Sequence, residues 1–171
     1  MARLFFAIDL QSTDKHTLHQ FVQGHLPELK QPTTKKNLHM TLAFLGQVTD
    51  TQQQALLDYA TTVKPLHNQT NDLVLNHLGV FTKARVLYLG LSAIPCWLTK
   101  LANELSQQAK LHGLFQEERP YRPHLTIARK VTEPPSIDVP ELRIKVSSFS
   151  LYRSESTYTG VTYTPVKTFL L

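Results

Sequence analysis

The chain has 171 residues, 42 % of them hydrophobic, and carries 18 Lys and Arg against 13 Asp and Glu for a formal charge of +5. That length suits one domain or two small lobes sharing a core, and no apolar run approaches the roughly 18 residues of a membrane span. A single cysteine, Cys96, excludes a disulfide framework and thiolate metal sites, and the modest basic excess favours a polyanionic partner. Met1-Ala2-Arg3 runs straight into Leu4-Phe5-Phe6-Ala7-Ile8 without the pattern of a leader, so the expected address is the cytosol.

In chain order, residues 3–10 read as a strand and 13–26 as an amphipathic helix with Leu18, Phe21, Val22 and Leu26 on one stripe. A strand over 37–45 follows, with Leu38, Met40, Leu42 and Phe44 toward the core and His39, Thr41 and Ala43 on the other face; Gly46 ends it. Asp50 is the expected N-cap of a helix over 51–63, with Gln53 completing a capping box. Further strands fall near 73–80 and 85–91. Residues 95–112 have the period of a helix with Trp97, Leu98, Leu101, Leu105 and Ala109 in register, stopped at Gly113. Cys96 reads as a buried small side chain. Pro120 and Pro123 precede a strand over 123–129, and two long strands, 142–153 and 161–170, meet as a hairpin around Gly160.

Two near copies stand out in this series: His39-Met40-Thr41-Leu42-Ala43 and His124-Leu125-Thr126-Ile127-Ala128, 85 positions apart. Eight His and 19 Thr in 171 positions give about one His-x-Thr by chance, so a single copy says little. The specificity lies in the repeated aliphatic-Ala continuation, the apolar alternation around each copy and their half-chain spacing. The order strand 3–10, helix 13–26, strand 37–45 also repeats as strand 85–91, helix 95–112, strand 123–129, an internal duplication. Two lobes related by a pseudo-twofold axis then bring two imidazoles and two hydroxyls to one groove, a metal-free acid–base arrangement suited to a phosphoester. Zinc is a weak reading, because the two histidines lack a third ligand at any recognisable spacing. The other histidines, His16, His19, His25, His67 and His112, read as surface residues, and His77 sits in a strand without a following Thr.

These motifs resemble those of the two-histidine phosphoesterase superfamily. More closely, the chain is similar to the RNA 2',3'-cyclic phosphodiesterases, historically named 2'-5' RNA ligases. The resemblance runs from Arg3–Ile8 through Asn37–Gly46, Gly79-Val80-Phe81, Ala84–Leu87 and Arg122–Arg129 to Leu151-Tyr152-Arg153-Ser154. It implies a bilobal α+β fold in a single domain over 1–171, with antiparallel sheets, outer helices and the motifs at 39–42 and 124–127 facing a central groove. It further implies hydrolysis of a 2',3'-cyclic phosphate, on RNA ends or nucleotides, to a 2'-phosphomonoester. On this resemblance His39 is the proton donor to the departing 3'-oxygen, His124 the proton acceptor that activates water, and Arg129 a phosphate ligand. No cofactor, metal or obligatory protein partner is implied.

The residue types suit that chemistry. An imidazole titrates near pH 6.5, so one neutral and one charged ring can act together near neutrality. Thr41 and Thr126 can donate to non-bridging phosphate oxygens. Strict alternation puts Arg129 on the face of Leu125 and Ile127, opposite His124, so its use needs a bulge at Ala128. Tyr121 and Phe5 are candidates for nucleotide contact by flanking or stacking, and equally for packing. Lys35-Lys36 reads as a solvated loop able to attract RNA, and Arg119, Arg122 and Lys130 as a solvated strand end. Two alternatives stay open: 2'-5' ligation at the same site, and a nucleotide- or RNA-binding module without turnover.

Overall fold

The structure, a computed structural model, describes residues 1–64, 71–158 and 160–171; His67 lies outside the described residues. The elements are β1 (Ala2–Ile8), α1 (Ser12–His25), a 3₁₀ turn (Lys35–Asn37), β2 (Met40–Val48), α2 (Asp50–Ala60), β3 (Asp72–Leu75), β4 (His77–Phe81), β5 (Val86–Gly90), α3 (Cys96–Leu111), β6 (His124–Arg129), β7 (Leu142–Lys145), β8 (Ser148–Thr157) and β9 (Gly160–Leu170). Seven strands form one antiparallel sheet in the order β4-β5-β6-β2-β1-β8-β9, and β3 pairs with β7 in a second, two-stranded sheet.

The two motif strands are neighbours at the middle of the large sheet. They pair through one residue couple, Met40 with Leu125, and then diverge. On either side of this seam the order mirrors itself, since β2 is followed outward by β1 and β6 by β5, each the strand that opens its own strand–helix–strand unit. The wedge between the diverging strands is filled by the segment that leads into the opposite motif. Thr33 N donates to Ile127 O at 2.8 Å and Arg129 N to Gln31 O at 3.0 Å. In the mirrored wedge Tyr121 Oη donates to Thr41 O at 2.9 Å and Gln116 Nε2 to Phe44 O at 2.8 Å. Each half therefore straps the other.

The helices bury the expected stripes. Leu18, Phe21, Val22 and Leu26 are covered from α1, and Trp97, Leu98, Leu101, Leu105 and Ala109 from α3, with Leu4, Phe6 and Ile8 of β1 beneath them in the core. Among the described residues, no helix is long and apolar enough to cross a membrane.

Several local expectations need correction. The strand expected near 73–80 is two strands in different sheets, because the chain changes partner at Asn76, whose side chain takes hydrogen bonds from Ser92 N and Oγ. The strand expected over 142–153 divides in the same way at Val146-Ser147. The cap of α2 is Thr49 with Gln52, one residue earlier than Asp50 with Gln53. Strand β2 continues past Gly46 to Val48, since the positive φ of that glycine (+70°) accommodates a bulge rather than an end. Cys96 is exposed, because it opens α3 on the side away from the buried Trp97 and Leu98.

Candidate active site

Both motif strands carry the same irregularity. In β2, Ala7 pairs with Thr41 but Phe6 with Ala43, leaving Leu42 as an extra residue. In β6, Tyr88 pairs with Thr126 but Leu87 with Ala128, leaving Ile127 extra. Two consecutive residues are buried at each bulge, Leu42 with Ala43 and Ile127 with Ala128, and the alternation restarts one position later. The next residue therefore returns to the face of the motif histidine. This returns Arg129 to the face of His124, with the extra residue at Ile127 where the bulge was expected at Ala128, and its charge acts on His39. In β2 the same step corrects the alternation expected for Ala43 and Phe44: Ala43 is buried and Phe44 is 50 % exposed.

The two imidazoles are tethered alike. His39 Nδ1 lies 2.6 Å from the carbonyl of Asn37, and His124 Nδ1 lies 2.7 Å from the carbonyl of Arg122. A carbonyl only accepts, so each Nδ1 carries the proton and each neutral ring has an unprotonated Nε2. The antiparallel register around Met40 and Leu125 sets His39 beside Thr126, and Thr41 beside His124. All four motif side chains are partly buried.

Aromatic rings wall each histidine. Phe5 and Tyr163 stand with centroids 5.0 and 4.8 Å from His39, and Phe81 and Tyr88 stand 4.8 and 5.6 Å from His124. The Tyr88 ring lies against Gly79 and leaves no room for a Cβ there. Burial is the main reason both histidines resist protonation. It lowers His39 to about 4 against the pull of its Asn37 hydrogen bond, with His124, Lys15 and Arg129 adding repulsion. His124 is lowered by burial first and by Arg119 second, opposed by its bond to Arg122. His124 is among the charges that oppose protonation of His39, so the second ring lies within electrostatic reach of the first.

The two nucleotide-contact candidates have structural employment. Phe5 is only 3 % exposed, packed between His39, Tyr152 and Tyr163, and so supports the histidine instead of offering a free ring face. Tyr152 beneath it is fixed by donating to Asp9 at 2.6 Å, a carboxylate that also accepts from Ser148 and Ser150. Tyr121 spends its hydroxyl on the Thr41 carbonyl, and burial raises its proton affinity. Phe44, paired with Phe5 across the sheet, is half exposed, with the Arg3 guanidinium 5.2 Å from its centroid. Sequence reasoning passed over Phe44, Asn37, Phe81, Tyr88 and Tyr163. For Phe44 a signal existed, since it follows His39 by five positions as Arg129 follows His124. Among the described residues no group of three or more His, Cys, Asp or Glu could hold a metal ion.

An antiparallel sheet that presents two backbone-tethered, aromatic-walled imidazoles with two threonines across one seam defines a paired-histidine class of protein. Residues 14–157 match the sequence model of the 2'-5' RNA ligase superfamily, and the chain belongs to that superfamily. It is 36 % identical over 172 residues to the RNA 2',3'-cyclic phosphodiesterase of Escherichia coli (strain K12), covering 99 % of this chain and 96 % of that protein. A protein of the same name from Methanocaldococcus jannaschii is 27 % identical over 180 residues, covering 96 % and 98 %. The crystal structure of E. coli LigT complexed with 3'-AMP superposes with a TM-score of 0.90 at 35 % identity, covering 99 % of this chain and 98 % of that one.

Proposed function

We propose that this chain is an RNA 2',3'-cyclic phosphodiesterase that opens the cyclic ester to a 2'-phosphomonoester by two-histidine acid–base catalysis without a metal. The observation that carries the reading is the pair of Nδ1–H tethers, which leaves two Nε2 atoms free for proton transfer at one site. A cyclic phosphodiester needs that combination: a base to take a proton from the attacking water, and an acid to supply one to the departing ribose oxygen. His39 serves as the proton donor and His124 as the acceptor, while Thr41, Thr126 and Arg129 hold the non-bridging oxygens as charge builds on them. The names of the relatives support RNA ends as the substrate class, and +5 net charge agrees with a polyanion. The mirrored strand order supports one bilobal domain over 1–171 that arose by internal duplication. With one exposed cysteine and no disulfide chemistry required, the chain fits the cytosol.

The test is turnover of an oligoribonucleotide ending in a 2',3'-cyclic phosphate, in EDTA, with the product's phosphate located by phosphorus NMR. A 2'-phosphate formed at undiminished rate is expected. A 3'-phosphate, or loss of activity on chelation with recovery on adding zinc or magnesium, would overturn the reading. Joined product in the presence of a 5'-hydroxyl acceptor would point to ligation instead.

A further inference from the structure

The carboxy-terminal strand reaches back to hold His39. Tyr163 of β9 meets the imidazole edge to face, with centroids 4.8 Å apart and planes at 74°, and meets Phe5 in the same manner at 5.0 Å. Two residues before it, the Val161 carbonyl accepts a 2.7 Å hydrogen bond from the side-chain amide of Asn37. Asn37 is the residue whose own carbonyl tethers His39 Nδ1. The peptide beside it is pinned in turn, because Lys15 Nζ donates to Lys36 O at 3.2 Å. One strand thus walls the ring and grips the group that fixes the ring's tautomer.

His124 is held by other means. Its walls are Phe81 and Tyr88 from the β4–β5 hairpin, and its acceptor Arg122 lies between Pro120 and Pro123, whose rings restrict the backbone locally. The acceptor of His39 has no such prolines and takes its support from a strand 124 positions away. The two motifs are near copies in sequence, but among the described residues only the first is held by the carboxy-terminal strand.

We propose that Tyr163 and Asn37 are positioning residues of the catalytic centre, through which the β8–β9 hairpin keeps His39 oriented and screened from water. The proposal rests on the catalytic reading above but makes a separate physical claim. The charged groups that act on His39 are Lys15 from α1 and His124 and Arg129 from β6, whereas β1 and β9 contribute the rings of Phe5 and Tyr163. Removing the Tyr163 ring leaves every one of those charges in place and admits water to one side of the imidazole. The proton affinity of His39 then rises toward that of a free histidine, and its orientation loosens. A ring that merely filled space would change stability and leave the titration of His39 where it is.

Three variants and two readouts test this. The His39 Cε1–H resonance, assigned by its loss in His39→Gln, is followed through a pH titration of the free protein, and kcat and KM are measured alongside. Tyr163→Leu is expected to raise the titration midpoint by about 1 unit or more and to lower kcat about tenfold, with KM changed less than about threefold. Tyr163→Phe keeps the ring and should keep both wild-type values. Asn37→Ala, which leaves Tyr163 untouched, should lower kcat and shift the midpoint away from the wild-type value, and it decides the matter if Tyr163→Leu does not fold. A folded Tyr163→Leu or Asn37→Ala protein with wild-type midpoint and kcat overturns the proposal. So does a Tyr163→Phe protein that loses activity at an unchanged midpoint, because the hydroxyl would then be touching substrate. The NMR arm needs no turnover: an inactive wild-type protein with the expected shifts would sink the catalytic reading alone.

Discussion

Arg129 and Phe44 occupy equivalent places in the two motif strands, each five residues after its histidine and one step beyond a bulge that turns it to the groove face. The two strands are therefore alike in their histidines and different one bulge further on, with a guanidinium in one and an exposed aromatic ring in the other. Replacing Arg129 by Met should cut kcat/KM by about 10- to 100-fold, the usual cost of removing a charge-assisted contact to an oxyanion. It should also raise the proton affinity of His39, since the Arg129 charge opposes protonation there. Wild-type kinetics in Arg129→Met would remove the arginine from the site. Phe44→Ala should raise KM for a nucleotide substrate by several-fold and leave kcat nearly unchanged, because stacking binds ground state and transition state alike.

The pH dependence should differ between the two kinetic parameters. Burial lowers both histidines below 6.5 in the free protein, His39 to about 4, so the singly protonated pair that reacts is populated on the acid side. The profile of kcat/KM, which reports the free enzyme, is expected to peak below about pH 6.5. A bound phosphate anion favours imidazolium and raises both proton affinities, so the kcat profile should peak at higher pH. Coincident optima, or the reverse order, would show that the anion does not lie between the rings. Lys15→Met should shift the kcat/KM profile toward higher pH, because the lysine's charge opposes protonation of His39.

The same burial ties stability to pH. His39 takes up a proton in the unfolded chain near pH 6.5 and in the folded protein only near 4. Between those values the unfolded state binds more protons, so this contribution is fully present above about 6.5 and is lost as pH falls toward 4. The shift corresponds to about 3 kcal/mol at most. Urea unfolding of wild type and His39→Gln, at pH 7.5 and 4.5, should show the variant losing about 2–3 kcal/mol less across that interval. Parallel losses in the two proteins would mean that His39 is not buried in solution as it is here.

Periodicity carried the element order because each helix stripe and each strand alternation is a local pattern, and the duplicated motif made the β2–β6 pairing foreseeable. What periodicity does not record is an inserted residue. A bulge at Leu42 reversed the sides of Ala43 and Phe44, and the bulge at Ile127 restored Arg129 to the groove face against strict alternation. Partners far away in the chain were equally silent. Phe5 looks available as a stacking ring until His39, Tyr152 and Tyr163 close over it, and nothing near Asn37 announces a bond to Val161. The strands cut at Asn76 and Val146-Ser147 failed for a related reason, since a change of sheet leaves the alternation intact.

The assignment of acid and base to the two histidines is the most demanding prediction. In the ligand-free protein His39 is strongly disfavoured as the charged ring, so the proposed role as proton donor requires the substrate's negative charge to supply what burial withholds. Replacing either histidine by Ala should lower kcat by about 10²–10⁴, with the double replacement well short of multiplicative because the pair acts as a unit. A substrate with sulfur in place of the 3'-oxygen separates the roles, since a thiolate is a far weaker base than an alkoxide and leaves without protonation. That substrate should rescue His39→Ala and leave His124→Ala impaired, because water must still be deprotonated. Rescue of His124→Ala alone would exchange the two roles and bring them into line with the free-state proton affinities. Rescue of neither would mean that leaving-group protonation does not limit the rate.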